Sequence, residues 1–180
     1  MNSYPKKRDK TIGNRKELLL EMFESALQND MNYRGCTQSV LAALQEKMRI
    51  GSPEVFKAGS ILAGGVARHG ETCGALIGTL MAIGVICGRE TLSAREEYEM
   101  AMEQGSLAYK LFKEKVGHTL CAEIHKIRFG KVYRLHIPEE RQAFHEAGGH
   151  SRTGCPEVCG IAAVIAAEII LDLKKEGREN

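Results

Sequence analysis

The sequence predicts an all-α protein, a single-domain bundle of about six to seven helices with a glycine-rich central helix. Three observations lead there. Apolar residues recur at three- and four-residue intervals through most of the 180-residue chain. Helix-start signals with proline just inside them stand at Ser52-Pro53 and Cys155-Pro156. The stretch that alternates basic and apolar residues, Arg128 to Leu135, reads as a short extended segment or a crossing loop and not as a sheet. Residues 14–180 therefore form one helical domain, and residues 1–13, with mixed charge and no apolar periodicity, form a flexible N-terminal arm.

Taken in order, Leu18, Leu19, Met22, Phe23, Ala26 and Leu27 make a first amphipathic helix from Asn14 to about Gln28, ended by a turn through Asn29, Asp30 and Asn32. The second begins at Cys36 and carries Val40, Leu41, Leu44 and Met48 on one stripe. Ser52-Pro53 opens a shorter helix through Phe56 and Leu62, and Gly64-Gly65 loosens the chain after it. The segment Gly70 to Gly88 starts as a polar turn and becomes a long apolar run, with Thr72 as N-cap and Cys73 at the first helical position. Gly74 and Gly78 clear one face of that helix at a cost of about 1 kcal/mol each relative to alanine, so a neighbouring helix or a cofactor must approach closely. Ser93 and Glu96 match a capping box at the start of the expected longest helix, which ends at Val116-Gly117. Thr119 caps a helix with Cys121 in its first turn, and Pro138 starts a small helix through Phe144. Ala147 to Gly154 reads as an open loop of anion-binding character, and Cys155-Pro156-Glu157 begins the final helix.

Composition narrows the function. A formal net charge of +2 with dispersed basic residues weighs against nucleic acid as a partner. The apolar run near the start is too short for a secretory segment, and none is long enough to cross a membrane, so a cytoplasmic location is expected. In a reducing compartment six cysteines are ligands, redox groups or buried thiols.

Four of them share a position. Cys36, Cys73, Cys121 and Cys155 each stand at an expected helix N-terminus, where free N–H groups and the helix dipole favour a thiolate. Four thiolates facing one volume need a neutraliser, usually zinc or an iron–sulfur cluster. The bland alternative is four inert core thiols. Cys159, one turn below Cys155, is a fifth ligand, a resolving thiol or a core residue, the last preferred; Cys87, near a helix C-terminus, is structural. His69, His118 and His150 precede cysteines in loops, where a solvated histidine is the default, and Glu71 is a base, a supporting acceptor or an exposed turn residue. His125, His136 and His145 carry no comparable positional argument.

These residues resemble the C-GCAxxG-C-C family of redox-active proteins, which is related to the cluster-bearing part of split-Soret cytochromes. The segments that match are Y-R-G-C-T-Q-S-V-L at Cys36, G-E-T-C-G-A-L-I-G-T-L-M-A-I-G around Cys73, V-G-H-T-L-C-A-E-I at Cys121 and G-C-P-E-V at Cys155. Thr72 replaces the glycine that the family name puts before the central cysteine, which leaves the thiol in place. Cys87 and Cys159 fall outside the pattern. The resemblance implies a helical, often dimeric protein with the four cysteines as a redox centre binding an iron–sulfur cluster, but no particular reaction. Without a C-x-x-C-H sequence, no covalent haem is expected. The leading expectation is an electron-transfer protein, a homodimer served by a redox partner protein or a small electron carrier. The alternatives are a thiol–disulfide oxidoreductase using Cys73 with a resolving cysteine, and a helical interaction domain with structural zinc or no metal.

Overall fold

A computed structural model describes residues 10–177. They form α1 (Lys10–Tyr33), α2 (Cys36–Met48), α3 (Pro53–Ala58) running into a 3-10 turn (Gly59–Leu62), α4 (Gly74–Cys87), α5 (Arg95–Val116), α6 (Cys121–Phe129), α7 (Pro138–Glu146) and α8 (Cys155–Lys175). The fold is all-α, and the nearest approach to a sheet among the described residues is one isolated antiparallel bridge between Thr72 and Leu120.

The bundle is organised on α8, which packs against α1, α2, α4 and α5. Its buried side alternates small residues, Gly160, Ala162, Ala163, Ala166 and Ala167, with the larger Val158, Ile165, Ile169, Ile170 and Leu173, so neighbouring helices come close at the small positions. The Phe23 ring lies over Gly160, where an added Cβ would stand 2.7 Å from a ring carbon. Close packing of this kind adds many small dispersion contacts to the burial of the larger side chains. The Thr79 hydroxyl, fully buried on α4, donates to the Ala162 carbonyl at 2.8 Å. An apolar helix with no polar face belongs inside a protein, and α4 lies among α2, α5 and α8.

The close approach expected over Gly74 and Gly78 is made by α2. A Cβ on Gly78 would meet the Thr37 carbonyl oxygen at 2.7 Å, and one on Gly74 would meet the Cys36 sulfur at 2.5 Å. The small residues on α4 thus position a cysteine as well as a helix.

Several boundaries differ from expectation. Helix α1 runs on through Asn29, Asp30 and Asn32 because their neighbours engage the side chains that would otherwise compete for the backbone. Asn29 donates to the Ser39 carbonyl at 3.4 Å, and the buried Asp30 carboxylate accepts from Ser39 at 3.5 Å and contacts His150 Nδ1 at 3.1 Å. The break falls instead at Arg34 and Gly35, both left-handed, with φ of 63° and 87°. The helix also begins at Lys10, inside the expected arm, whose residues 1–9 lie outside the described residues. At 24 residues α1 exceeds α5 at 22, so α5 is not the longest helix. The capping box at Ser93 does not form: Ala94 is the N-cap, and the Ser93 hydroxyl bonds Thr91 Oγ1 at 3.1 Å.

Helices α6 and α7 pack less extensively on the other helices, although Ile124 enters the core and Arg128 pairs with Glu157 of α8 at 2.7 Å, and the two are joined by a ring cluster. His125 stacks on Phe144 with centroids 4.6 Å apart, and Phe129 and Tyr133 pack edge-on around them.

The α4 glycines give a paired prediction. Gly78→Ala should destabilise the protein by about 1–3 kcal/mol, because its Cβ meets backbone. Gly84→Ala, where a Cβ meets nothing within 4 Å, should stabilise by up to about 1 kcal/mol. Urea denaturation of both variants measures the two signs.

Candidate functional site

Cys36, Cys121 and Cys155 are the first residues of α2, α6 and α8, and Cys73 is the N-cap of α4, one position earlier than expected. The shift has a backbone cause. The chain before α4 pairs with the chain before α6: Cys73 N–H donates to Thr119 O at 2.8 Å, Cys121 N–H to Glu71 O at 2.7 Å and Ala122 N–H to Gly70 O at 2.9 Å. Thr72 and Thr119 are therefore not caps. Thr119 donates its hydroxyl to Tyr109 Oη at 3.1 Å, and Leu120 takes the N-cap position of α6. This pairing sets Cys73 beside Cys121.

Cys155 is held by its N–H bond to Gly149 O at 2.9 Å. The loop before it is closed, contrary to the open anion-binding loop expected. The N–H groups of Gly148, Gly149, Ser151 and Gly154 donate to His145 O, Phe144 O, Gly148 O and Ser151 O, which leaves none of these four for an anion.

All four sulfur-bearing residues line one cavity of about 640 Å³, walled by the α1–α2 corner, residues 60–68, and the starts of α4, α6 and α8, with α7 on the outer side. None of the six cysteines, all among the described residues, is joined in a disulfide.

Residues 64–68 form a left-handed turn, with φ between 49° and 71° at each. Three of them, Val66, Ala67 and Arg68, lack the freedom of glycine, and such residues lose roughly 1–2 kcal/mol each in this conformation. The turn is fastened by Ala67 N–H to Ile61 O at 2.8 Å, Gly70 N–H to Gly64 O at 3.1 Å and Glu71 N–H to Gly65 O at 3.0 Å. Gly65 admits no side chain, since a Cβ would lie 2.6 Å from Glu71 N and 2.7 Å from Cys121 Cβ. The two glycines tighten the chain where loosening was expected, and the Gly64 N–H is directed at the Cys36 sulfur.

The electrostatics correct the expected thiolates. Main-chain N–H groups do reach the sulfurs, from Ala75 and Leu76 at Cys73 and from Gly64 and Thr37 at Cys36. Burial outweighs them and pushes Cys36, Cys73, Cys121 and Cys155 above the ordinary thiol range. Neighbouring sulfurs add to the shift: Cys73 acts on Cys36, both act on Cys121, and all three act on Cys155. With no compensating cation these thiols stay protonated at neutral pH.

Sequence reasoning missed some of the cavity lining. His125 lies one turn after Cys121, its Nε2 3.6 Å from the sulfur, and burial lowers its pKa to about 4, so the ring is neutral. The i, i+4 spacing of the pair was the available signal. Asp30 and His150 face the cavity as a hydrogen-bonded pair, and Arg34, Arg68, Arg141 and His145 are further polar residues of its lining. His69 stacks on His136 at 4.8 Å, and His118 Nδ1 accepts the Leu120 N–H at 3.0 Å; neither lines the cavity. Glu71 contributes its carbonyl and not its carboxylate. Cys159 is buried behind the cavity with its sulfur 3.8 Å from Cys36 O, and the Cys87 sulfur contacts Ile83 O at 3.4 Å at the far end of α4.

The all-helical chain thus brings four cysteines, far apart in sequence, to one cavity. Residues 35–169 match the family described as "Putative redox-active protein (C_GCAxxG_C_C)", and the chain belongs to it. The match takes in all four cavity cysteines. No curated protein and no solved structure matches the chain significantly.

The donor set is that of a thiolate-ligated metal group, since four cysteines are the usual ligands of iron–sulfur clusters and of many structural zinc ions. Among the described residues, no three His, Cys, Asp or Glu side chains are gathered closely enough to hold a single ion. A zinc ion needs four donors at about 2.0–2.3 Å, and the sulfurs share the cavity without closing on one point. The Thr37 hydroxyl, buried beside the Cys36 sulfur over Gly74, has no protein partner.

In reduced, metal-free protein, alkylation of Cys73 and Cys121 should be slow at pH 7 and still lag behind that of an ordinary exposed cysteine at about pH 8.5. Iodoacetamide labelling across pH, read by mass spectrometry, checks this; a thiol titrating at about pH 6–7, as activated cysteines do, contradicts it.

Proposed function

We propose that this redox-family protein carries electrons through an iron–sulfur cluster held by Cys36, Cys73, Cys121 and Cys155. The observation behind the reading is the common cavity that the four helix starts line. The cluster would supply one-electron chemistry when bound. The chain's own part is to provide thiolates, to aim the N–H groups of Gly64, Thr37, Ala75 and Leu76 at two of them, and to keep them out of bulk water. Sulfurs that repel one another and are disfavoured as anions by burial are suited to a strongly positive group, whose binding drives off their protons.

A single structural zinc fits less well because no three candidate ligands close on one point. A thiol–disulfide enzyme fits less well because the thiols are shifted away from the reactive anion. The partner in this reading is a redox protein or small electron carrier. No described helix is long and apolar enough to cross a membrane. The homodimer belongs to the same reading, supported by Tyr98, Met102 and Tyr109, which form an exposed apolar stripe on α5 with Gly105 among them.

Anaerobic reconstitution with iron and sulfide should give a coloured protein with bound iron and acid-labile sulfide and an EPR signal in one oxidation state. Serine at any one of the four positions should lower iron retention by at least about tenfold, whereas Cys87→Ala should retain it. A colourless, iron-free product, or retention indifferent to all four substitutions, ends the cluster reading.

A further inference from the structure

The cavity has a second chemical end. Its volume of about 640 Å³ lies within the range of roughly 300–1,000 Å³ typical of sites for organic ligands. The charges acting on the sulfurs come from one another, from Asp30 and, at Cys73, from Arg128. Arg34, Arg68 and Arg141 line the same cavity but gather with His150 around the His145 ring.

Nothing neutralises the three guanidiniums. Among the described residues none of them makes an ion pair. Asp30, the carboxylate in the described lining, is already bound to His150 at 3.1 Å. Arg141 is steadied by one bond from Nη1 to Leu135 O at 3.0 Å, which leaves its remaining N–H groups to point elsewhere. Arg34 donates to His145 Nε2 at 3.2 Å. The ring thereby orients the Arg34 guanidinium at the rim. Guanidiniums without an ion-pair partner at one mouth call for an acceptor of negative charge, and their geometry matches carboxylate and phosphate oxygens.

We propose that this mouth binds a small molecule through an oxyanion, a carboxylate or a phosphate group, held by Arg34, Arg68 and Arg141. The body of the ligand then extends toward the sulfur-lined end. The concave shape favours a small molecule over a protein surface. The site stands on the arginines and not on a cluster, so it goes beyond the redox reading and its failure is separable from that reading.

Calorimetric titration of the full chain, both metal-free and after reconstitution, with inorganic phosphate and with succinate distinguishes the two sources of oxyanion. Saturable binding of either anion in either form is expected, weakening with added salt. Arg68→Gln and Arg141→Gln should each weaken it about tenfold, whereas Arg89→Gln, whose guanidinium lies over the Tyr98 ring outside the cavity, should leave it unchanged. Thermal melts establish that the variants are folded. Absence of saturable binding by both anions overturns the assignment, as does affinity that persists in the Arg68→Gln/Arg141→Gln double variant. Retention of an acidic protein without a response to either small anion also overturns it, and makes the mouth a docking patch.

Discussion

Two backbone hydrogen bonds, Cys73 N–H to Thr119 O and Cys121 N–H to Glu71 O, are the constraint on which the rest of the molecule's chemistry depends. They join two loops of a helical protein as a fragment of antiparallel ladder, and so fix the relative position of two helix starts that no shared helix connects. Their short reach explains the glycines around them. Gly65 lies against Glu71 and Cys121, and an added Cβ on Gly70 would come within 3.2 Å of the Ala122 side chain. Cys36 arrives from the opposite direction, over the open Cα of Gly74, and Cys155 from a loop whose N–H groups are turned inward. Three different local devices thus bring four cysteines to the lining of one cavity.

The electrostatic outcome is a competition that helix geometry does not win. A helix start offers a thiolate roughly 0.3–1 kcal/mol when exposed, while desolvation of a charged group in an apolar interior is several times larger. Gly64, Thr37, Ala75 and Leu76 direct N–H groups at the sulfurs, and the thiols remain neutral all the same. A site built this way is quiet as a set of bare thiols; under the reading proposed above, a bound cation would draw off their protons, and its affinity would then rise with pH.

The helices were legible because their apolar spacing is local, and the clustering of cysteines at helix starts was legible for the same reason. What failed was decided at a distance. The stretch Asn29 to Asn32 carries turn residues, yet it stays helical because Ser39 and His150 occupy the side chains of Asn29 and Asp30. Thr72 reads as a cap until the ladder to Leu120 claims its backbone. His125 was readable from its four-residue spacing to Cys121. Arg34, Arg68 and Arg141 were not, since nothing in three scattered basic residues shows that the α1–α2 break, the left-handed turn and α7 bring them to one rim. Membership of the family was written in the segments around the cysteines, and the cavity they line was not.

The outer wall of the cavity has a different mechanical character from the bundle. Helices α6 and α7 lean on each other through the rings of His125, Phe129, Tyr133 and Phe144, while α1, α2, α4, α5 and α8 make the main interhelical contacts. Segments with few contacts to the main body open at a lower free energy than the body unfolds. The flank that walls the sulfurs is thus held by a smaller set of interhelical contacts than the bundle behind them.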